Sequence, residues 1–170
     1  MRSLEKDPEW KSWDAYSGFT EEEKKGRITT GALGGVRGLG PFQRIFQNIH
    51  TGETISVVWI GGALAGFPGV CHGGLIATLM DESLGRCAIA TFPDKTGVTA
   101  NLQLSYLAPV VTNAFYVLRC SVGGKEALRN TERKAWVTGR WEGLDGRVHV
   151  EGKALFVVPK KVKLRKLEGF

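Results

Sequence analysis

The sequence predicts an α+β fold in which one long helix lies across a single antiparallel sheet of five or six strands. Three observations point there. The run 73–91 is apolar over most of its circumference and spans about five helical turns. Six other segments of strand length carry apolar and β-branched residues between turn-forming ones. The order is two strands, the helix, then four strands joined by short links, which makes those last four an antiparallel meander. With only one helix long enough to cover a sheet face, the sheet must curl and hold it on the concave side.

The opening stretch "EKDPEWKSWDAYSGFTEEEKKG" reads as one or two short amphipathic helices, with Trp10, Trp13 and Tyr16 three apart on one face. "TTGALGGVRGLGP" (29–41) is glycine-rich. It lacks the GK[ST] ending of a P-loop, and no strand precedes it as a dinucleotide fold requires, so it reads as a flexible lid or connector. "FQRIFQNIH" and "TISVVWIGG" are strands joined by a turn at Thr51-Gly52, and "GALAGFPGV" is a loop leading into the helix. Strands follow at 97–107, 113–123, 133–142 and 147–158, with Asp145-Gly146 as the strongest hairpin signal.

At 170 residues the chain suits one well-buried core better than two domains. The three cysteines, Cys71, Cys87 and Cys120, are odd in number and form no CxxC pair. That argues against a disulfide framework or zinc site and for a reducing compartment. No apolar window is long and unbroken enough to span a bilayer. Residues 1–27 hold seven acids and six bases, unlike a transit or signal peptide. The net charge of +6 suits a polyanionic partner. Nucleic acid is the weakest of these, since no basic run is interleaved with aromatics. The run "KKVKLRK" (160–166) holds much of the excess and reads as a solvated tail.

The helix raises the functional question, because it carries Asp81 and Glu82 at its centre. A carboxylate buried without partners is costly or takes a proton, so at least one of the two reaches water or does a job. They differ by about 100° around the axis and cannot share a pocket. Asp81 follows Gly73 and Gly74 by nearly two turns and therefore lies on the side of the helix start. Unpaired N–H groups gather there, and two glycines let a substrate carbonyl come close. An oxyanion hole with a base or nucleophile is the minimum equipment for acyl transfer. Spacing alone leaves a second reading equally open, a helix N-terminus with a solvated acid.

"GFPGVCHGGLIATLMDESLG" followed by "GVTANLQLSYLAPV" resembles the hotdog-fold acyl-CoA thioesterases of the HGG…D type, especially the branch holding the mitochondrial thioesterase-superfamily members. The resemblance covers roughly 36–158. It implies a curled antiparallel sheet wrapped around a central helix, in homodimers or tetramers whose active sites lie at the dimer interface. It implies Asp81 as catalytic carboxylate (base on water, or nucleophile), Gly73 as the amide that polarises the thioester carbonyl, and His72 and Gly74 as shapers of that turn. Thr99 matches the hydroxyl that holds the attacking water. Asn101 and Ser105 match substrate-contacting positions, and Arg133 and Lys134 are offered to the phosphates of coenzyme A. In the family the glycine and aspartate of one site usually come from opposite chains.

Two departures stand out. Gly66 occupies the position where many relatives carry Asn or Gln, and Leu107 the position where some carry a basic residue. The expected organisation is a helical or loop extension (1–35), the hotdog domain (36–158) and a basic tail (159–170). The expected activity is hydrolysis of acyl-CoA to free acid and coenzyme A, with no metal and no cofactor beyond the substrate, in mitochondria or cytoplasm with mitochondria favoured by the resemblance. An enoyl-thioester hydratase is the enzymatic rival, although no histidine follows Asp81 at short range. A non-catalytic acyl-CoA-binding or partner-docking protein is the other. His50 and His149 lack metal-ligand spacing and read as structural or exposed, and Glu82 as salt-bridged or exposed.

Overall fold

A computed structural model of the chain describes residues 2–40, 43–123, 125–167 and 169–170. In chain order its elements are helix α1 (Arg2–Glu5), strand β1 (Trp10–Asp14), helix α2 (Glu21–Lys25), a π-helical turn (Ile28–Ala32), and strands β2 (Gln43–Asn48) and β3 (Thr54–Ile60). A 3₁₀ turn (Gly62–Leu64) then leads through the small hairpin β4 (Ala65–Phe67) and β5 (Val70–Cys71) into helix α3 (Gly73–Thr91). Strands β6 (Val98–Tyr106), β7 (Ala114–Ser121), β8 (Lys134–Gly143) and β9 (Val148–Val157) complete the fold, with a 3₁₀ turn (Lys125–Arg129) between β7 and β8. One seven-stranded sheet runs β1-β2-β3-β7-β8-β9-β6, and every pairing in it is antiparallel.

Helix α3 begins where His72 leaves the extended conformation. Its ring Nδ1 accepts the Gly74 N–H at 2.9 Å, which caps an otherwise unpaired donor. The helix ends at Thr91, where the fully buried Phe92 turns extended ahead of Pro93. Leu79, Met80, Leu84, Cys87 and Ala88 pack against Leu118, Val137, Trp141, Val150 and Phe156 of the sheet. The contact is close because Gly139 and Gly152 face each other across β8 and β9 beneath the helix. A Cβ at Gly139 would lie 2.8 Å from Cys120 Sγ and 3.0 Å from Leu84 Cδ2, and one at Gly152 would lie 2.6 Å from Met80 Cε.

Two expectations are corrected. Residues 98–106 do not join the meander next to β7; β7, β8 and β9 form it, and β6 pairs with β9 at the far edge. The link after α3 delivers the chain there, and the return to β7 crosses at Val110, whose carbonyl takes the Cys71 N–H. Trp10–Asp14 is a strand, not a helix, and it supplies the seventh position of the sheet. Five residues after Pro8 are too few to sustain an isolated helix, while β2 offers an open edge to pair with. Strand geometry sends the two tryptophans to opposite faces. Trp10 packs with Phe46, Ile55 and Val57, whereas Trp13 lines a cavity against α3. The basic run 160–166 is exposed, as expected, and contacts at Arg165 and beyond it tie the segment to the body. Leu167 donates to the Lys95 carbonyl, Arg165 pairs with Glu23, and the Phe170 ring meets Tyr16 edge-on.

The glycine-rich stretch serves as a connector and does not stand off as a lid. Gly61 N–H donates to Gly38 O and Ala63 N–H to Arg37 O, both at 2.8 Å, and Leu39 is buried. A Cβ at Gly61 would fall 2.2 Å from the Arg37 carbonyl oxygen, so only glycine allows this backbone contact.

Overpacking at the helix–sheet contact is expected to be costly. Gly139→Val is predicted to lower unfolding free energy by about 1–3 kcal/mol in denaturant titration, since Cys120, Leu84 and the Arg119 backbone leave the new atoms no room.

Candidate active site

Helix α3 is buried except along one stripe. Gly74, Thr78 and Asp81 follow at spacings of four and three, on the side that looks toward edge strand β6. At the lower end of the stripe, Thr99 Oγ1 donates to Asp81 Oδ1 at 2.7 Å. Burial raises the Asp81 pKa above the ordinary aspartate value, and the Thr99 hydrogen bond partly opposes the shift. With Oδ1 engaged, the second carboxylate oxygen is left for another donor. The Thr99 oxygen, having given its proton to Asp81, can accept one.

Simple alternation would not bring Thr99 to Asp81. Tyr106, Leu104 and Leu102 oppose Val150, Gly152 and Ala154 on the inner face, while Ser105, Gln103 and Asn101 point outward. Thr99 shares parity with the outward set. A β-bulge between Thr99 and Asn101 shifts the register, so that Thr99 opposes the inward-facing Phe156. This re-aiming was missed in the sequence, where nothing in "GVTANLQ" marks the extra residue.

At the upper end of the stripe, His72 caps Gly74, and the Gly73 N–H has no partner among the described residues. Tyr106 Oη donates to the Gly73 carbonyl at 2.9 Å, which ties the first helical residue to β6. Tyr106 went unremarked in the sequence although "SYLAP" was read for its neighbours. An aromatic side chain at inward parity on the strand beside the helix start was the available signal. Gly66 is explained as well, because a Cβ there would lie 2.8 Å from the His72 ring. The glycine makes room for the capping histidine, and an Asn or Gln at that position would displace it.

Glu82 turns to another side of the helix. It accepts from Thr29 Oγ1 at 2.9 Å and lies 3.8 Å from the Arg86 guanidinium. Tyr16 Oη, 3.0 Å from Thr29 Oγ1, joins the cluster, and desolvation pushes its phenol well above the ordinary value. Each acid therefore has its own partners.

Residues 68–123, which span α3, β6 and β7, match the profile of the thioesterase superfamily. Mouse acyl-coenzyme A thioesterase THEM4 is 30% identical over 142 residues, covering 83% of this chain and 58% of that protein. The chain thus spans less than two thirds of that relative's length. A Candida albicans protein described as mitochondrial is 28% identical over 168 residues, 95% of this chain and 73% of its own. Among solved structures, a Streptococcus mutans protein bound to acetyl-CoA superposes with a TM-score of 0.56 at 18% identity, over 66% of this chain and 86% of that one. The hotdog architecture of this chain, a curled antiparallel sheet around one helix, agrees with that likeness of fold.

The remaining candidates separate. Asn101 and Ser105 lie on the outer face of β6, away from Asp81. Arg133 is pinned to the end of β9, donating to the Val158 carbonyl through Nε at 3.3 Å and Nη2 at 2.6 Å. Lys134 is exposed at the start of β8, and it opposes Val157, which opposes Val98, so it sits at the Thr99 end of the sheet. Neither cation contacts Asp81.

The raised Asp81 pKa has a definite consequence for stability. The native state holds the proton more tightly than the unfolded chain, so stability falls as pH rises from the ordinary aspartate range through the raised value. Asp81→Asn is predicted to melt higher than wild type near pH 7, with the difference closing toward about pH 4 in thermal scans.

Proposed function

We propose that the protein hydrolyses acyl-CoA thioesters to a carboxylic acid and coenzyme A. The observation that carries this reading is the Thr99–Asp81 hydrogen bond on the open stripe of a largely buried helix, whose start carries a Gly73 amide with no partner among the described residues. Asp81 acts as general base on a water held between its free oxygen and the Thr99 hydroxyl. The water oxygen adds to the thioester carbonyl carbon and its proton passes to Asp81. The oxyanion forms against the Gly73 N–H at the positive end of the helix dipole, and collapse expels the coenzyme A thiolate. A raised pKa makes the aspartate a better base, provided the pH keeps it ionised.

Eight residues separate Gly73 from Asp81, about 12 Å along the axis, too far for one thioester to meet both in the same chain. We therefore read the working unit as a homodimer in which each site combines the helix start of one copy with the Asp81 of the other. The long open edge of β6, with Val98, Tyr106 and Leu107 exposed, supports this pairing. A basic groove of about 710 Å³ beside Arg133, lined by Lys160, Lys161, Lys163 and Lys166, suits the coenzyme A phosphates. The mouse relative's name and the acetyl-CoA bound by the Streptococcus protein support the substrate class, and the Candida relative supports a mitochondrial location.

Asp81→Asn is expected to lower kcat at least about a hundredfold on an acyl-CoA series while the fold persists, and Thr99→Ala to lower it less. Full activity of Asp81→Asn in a thiol-release assay removes the mechanism. Single turnover in ¹⁸O-water separates the two roles of Asp81, since a nucleophile gains the label in its own carboxylate and a general base does not. Tyr106→Phe, which frees the Gly73 carbonyl, is predicted to cost about 0.5–1.5 kcal/mol of transition-state stabilisation, read from kcat/KM.

A further inference from the structure

The basic run 160–166 is fastened at both ends. Ahead of it, Arg133 Nε and Nη2 donate to the Val158 carbonyl, and beyond it the Leu167 N–H donates to the Lys95 carbonyl at 3.0 Å. Between these ties the chain forms neither helix nor strand, and Lys160, Lys161, Lys163 and Lys166 are exposed. Among the described residues none of the four has a carboxylate partner, while Arg165 is paired with Glu23. The run lines a groove whose wall carries six cations and one acid, Asp94, among those residues. Cations held in such an arc differ from those of a loose tail, because they need not be gathered before they meet a surface. Two apolar side chains are bare at the same end of the sheet. Val162 is 59% exposed within the run, and Leu128 is 91% exposed on the loop that leads through the Thr131–Lys134 bridge into β8. Strand β8 starts where β9 ends, so both lie at the end of the sheet from which the run departs.

We propose that this end of the molecule docks onto an anionic phospholipid bilayer, with the four lysines at the lipid phosphates and Val162 and Leu128 in the interfacial layer. The charge is complementary, and cations clustered beside a surface of one sign add their attractions. Bare aliphatic side chains among them favour a bilayer over RNA. A single-stranded nucleic acid would call for aromatic rings to stack on its bases, and neither the run nor the groove wall has one among the described residues. Lipid headgroups present the same phosphate chemistry as coenzyme A, but a bilayer spans the whole run and reaches Leu128 as well. Docking stands whether or not a thioester is cleaved, since none of these residues belongs to the Asp81 stripe.

Sedimentation of the full chain with vesicles tests this without substrate. Vesicles of phosphatidylcholine with about 30% phosphatidylglycerol are expected to bind it at least about a hundredfold more tightly than phosphatidylcholine alone. That binding is expected to fall steeply between about 0.1 and about 1 M salt, as the screening length shrinks from about 10 to about 3 Å. Lys160→Gln, Lys161→Gln, Lys163→Gln and Lys166→Gln combined are expected to lower the partition coefficient at least about thirtyfold, and Val162→Ser with Leu128→Ser about fivefold. All six side chains are exposed, so both variants are expected to melt like wild type. Asp81→Asn is expected to bind vesicles like wild type. Lost turnover therefore leaves docking intact, and absent docking leaves the reaction intact. Three results overturn the proposal: anionic vesicles binding no better than neutral ones; undiminished binding by either variant; or release from the vesicles by a mixed-sequence RNA at equal phosphate, which makes nucleic acid the partner.

Discussion

The close approach of α3 to the sheet is the constraint on which the rest of the molecule depends. Gly139 and Gly152 sit as a pair under Leu84 and Met80, so the helix lies nearer the strands than side chains would otherwise permit. A helix held that deeply has nearly every face covered. What remains open is a narrow stripe along β6, and the residues on that stripe are the ones with chemical potential. The site is thus a by-product of packing. It exists where the curled sheet, ending at β6, stops short of covering the helix.

The paired acids at the helix centre show how one turn of a buried helix serves two ends. Asp81 reaches the uncovered stripe, is partly desolvated, and finds a hydroxyl on β6. Glu82, about 100° away, reaches the side closed by the N-terminal segment and the tail, where Thr29 and Arg86 receive it. The same segments that hold Glu82 also bury Arg86. The additions at the two termini accordingly do more than lengthen the chain. β1 extends the sheet, and Tyr16, in the left-handed region at φ 63°, turns from it into the core to face Phe170.

Much of the fold was legible because its signals were local. The helix from 73 to 91 and the strands near 98, 114, 134 and 148 follow from apolar runs bounded by glycine, proline and Asp-Gly, and their bounds agree with the structure within a residue or two. The N-terminal tryptophans misled because a spacing of three fits one helical face, whereas their conformation is decided by the free edge of β2. The basic run 160–166 is exposed, as its charge suggested, whereas the contact of Phe170 with Tyr16 depends on which segment lies alongside.

The sequence by itself determined which residues form the helix, that its interior carries two acids with diverging directions, and that a histidine and two glycines start it. Those follow from hydrophobic period and capping chemistry, which act within a few residues. Only the tertiary structure decided that β6 lies at the sheet edge, that a bulge turns Thr99 inward, that Tyr106 holds Gly73, and that Arg86 is buried beside Glu82 and two aromatic rings. Each of these depends on which distant segment lies alongside. A one-residue change of register reverses the face a strand residue presents, so contacts of that kind are settled by packing and not by neighbours in the chain.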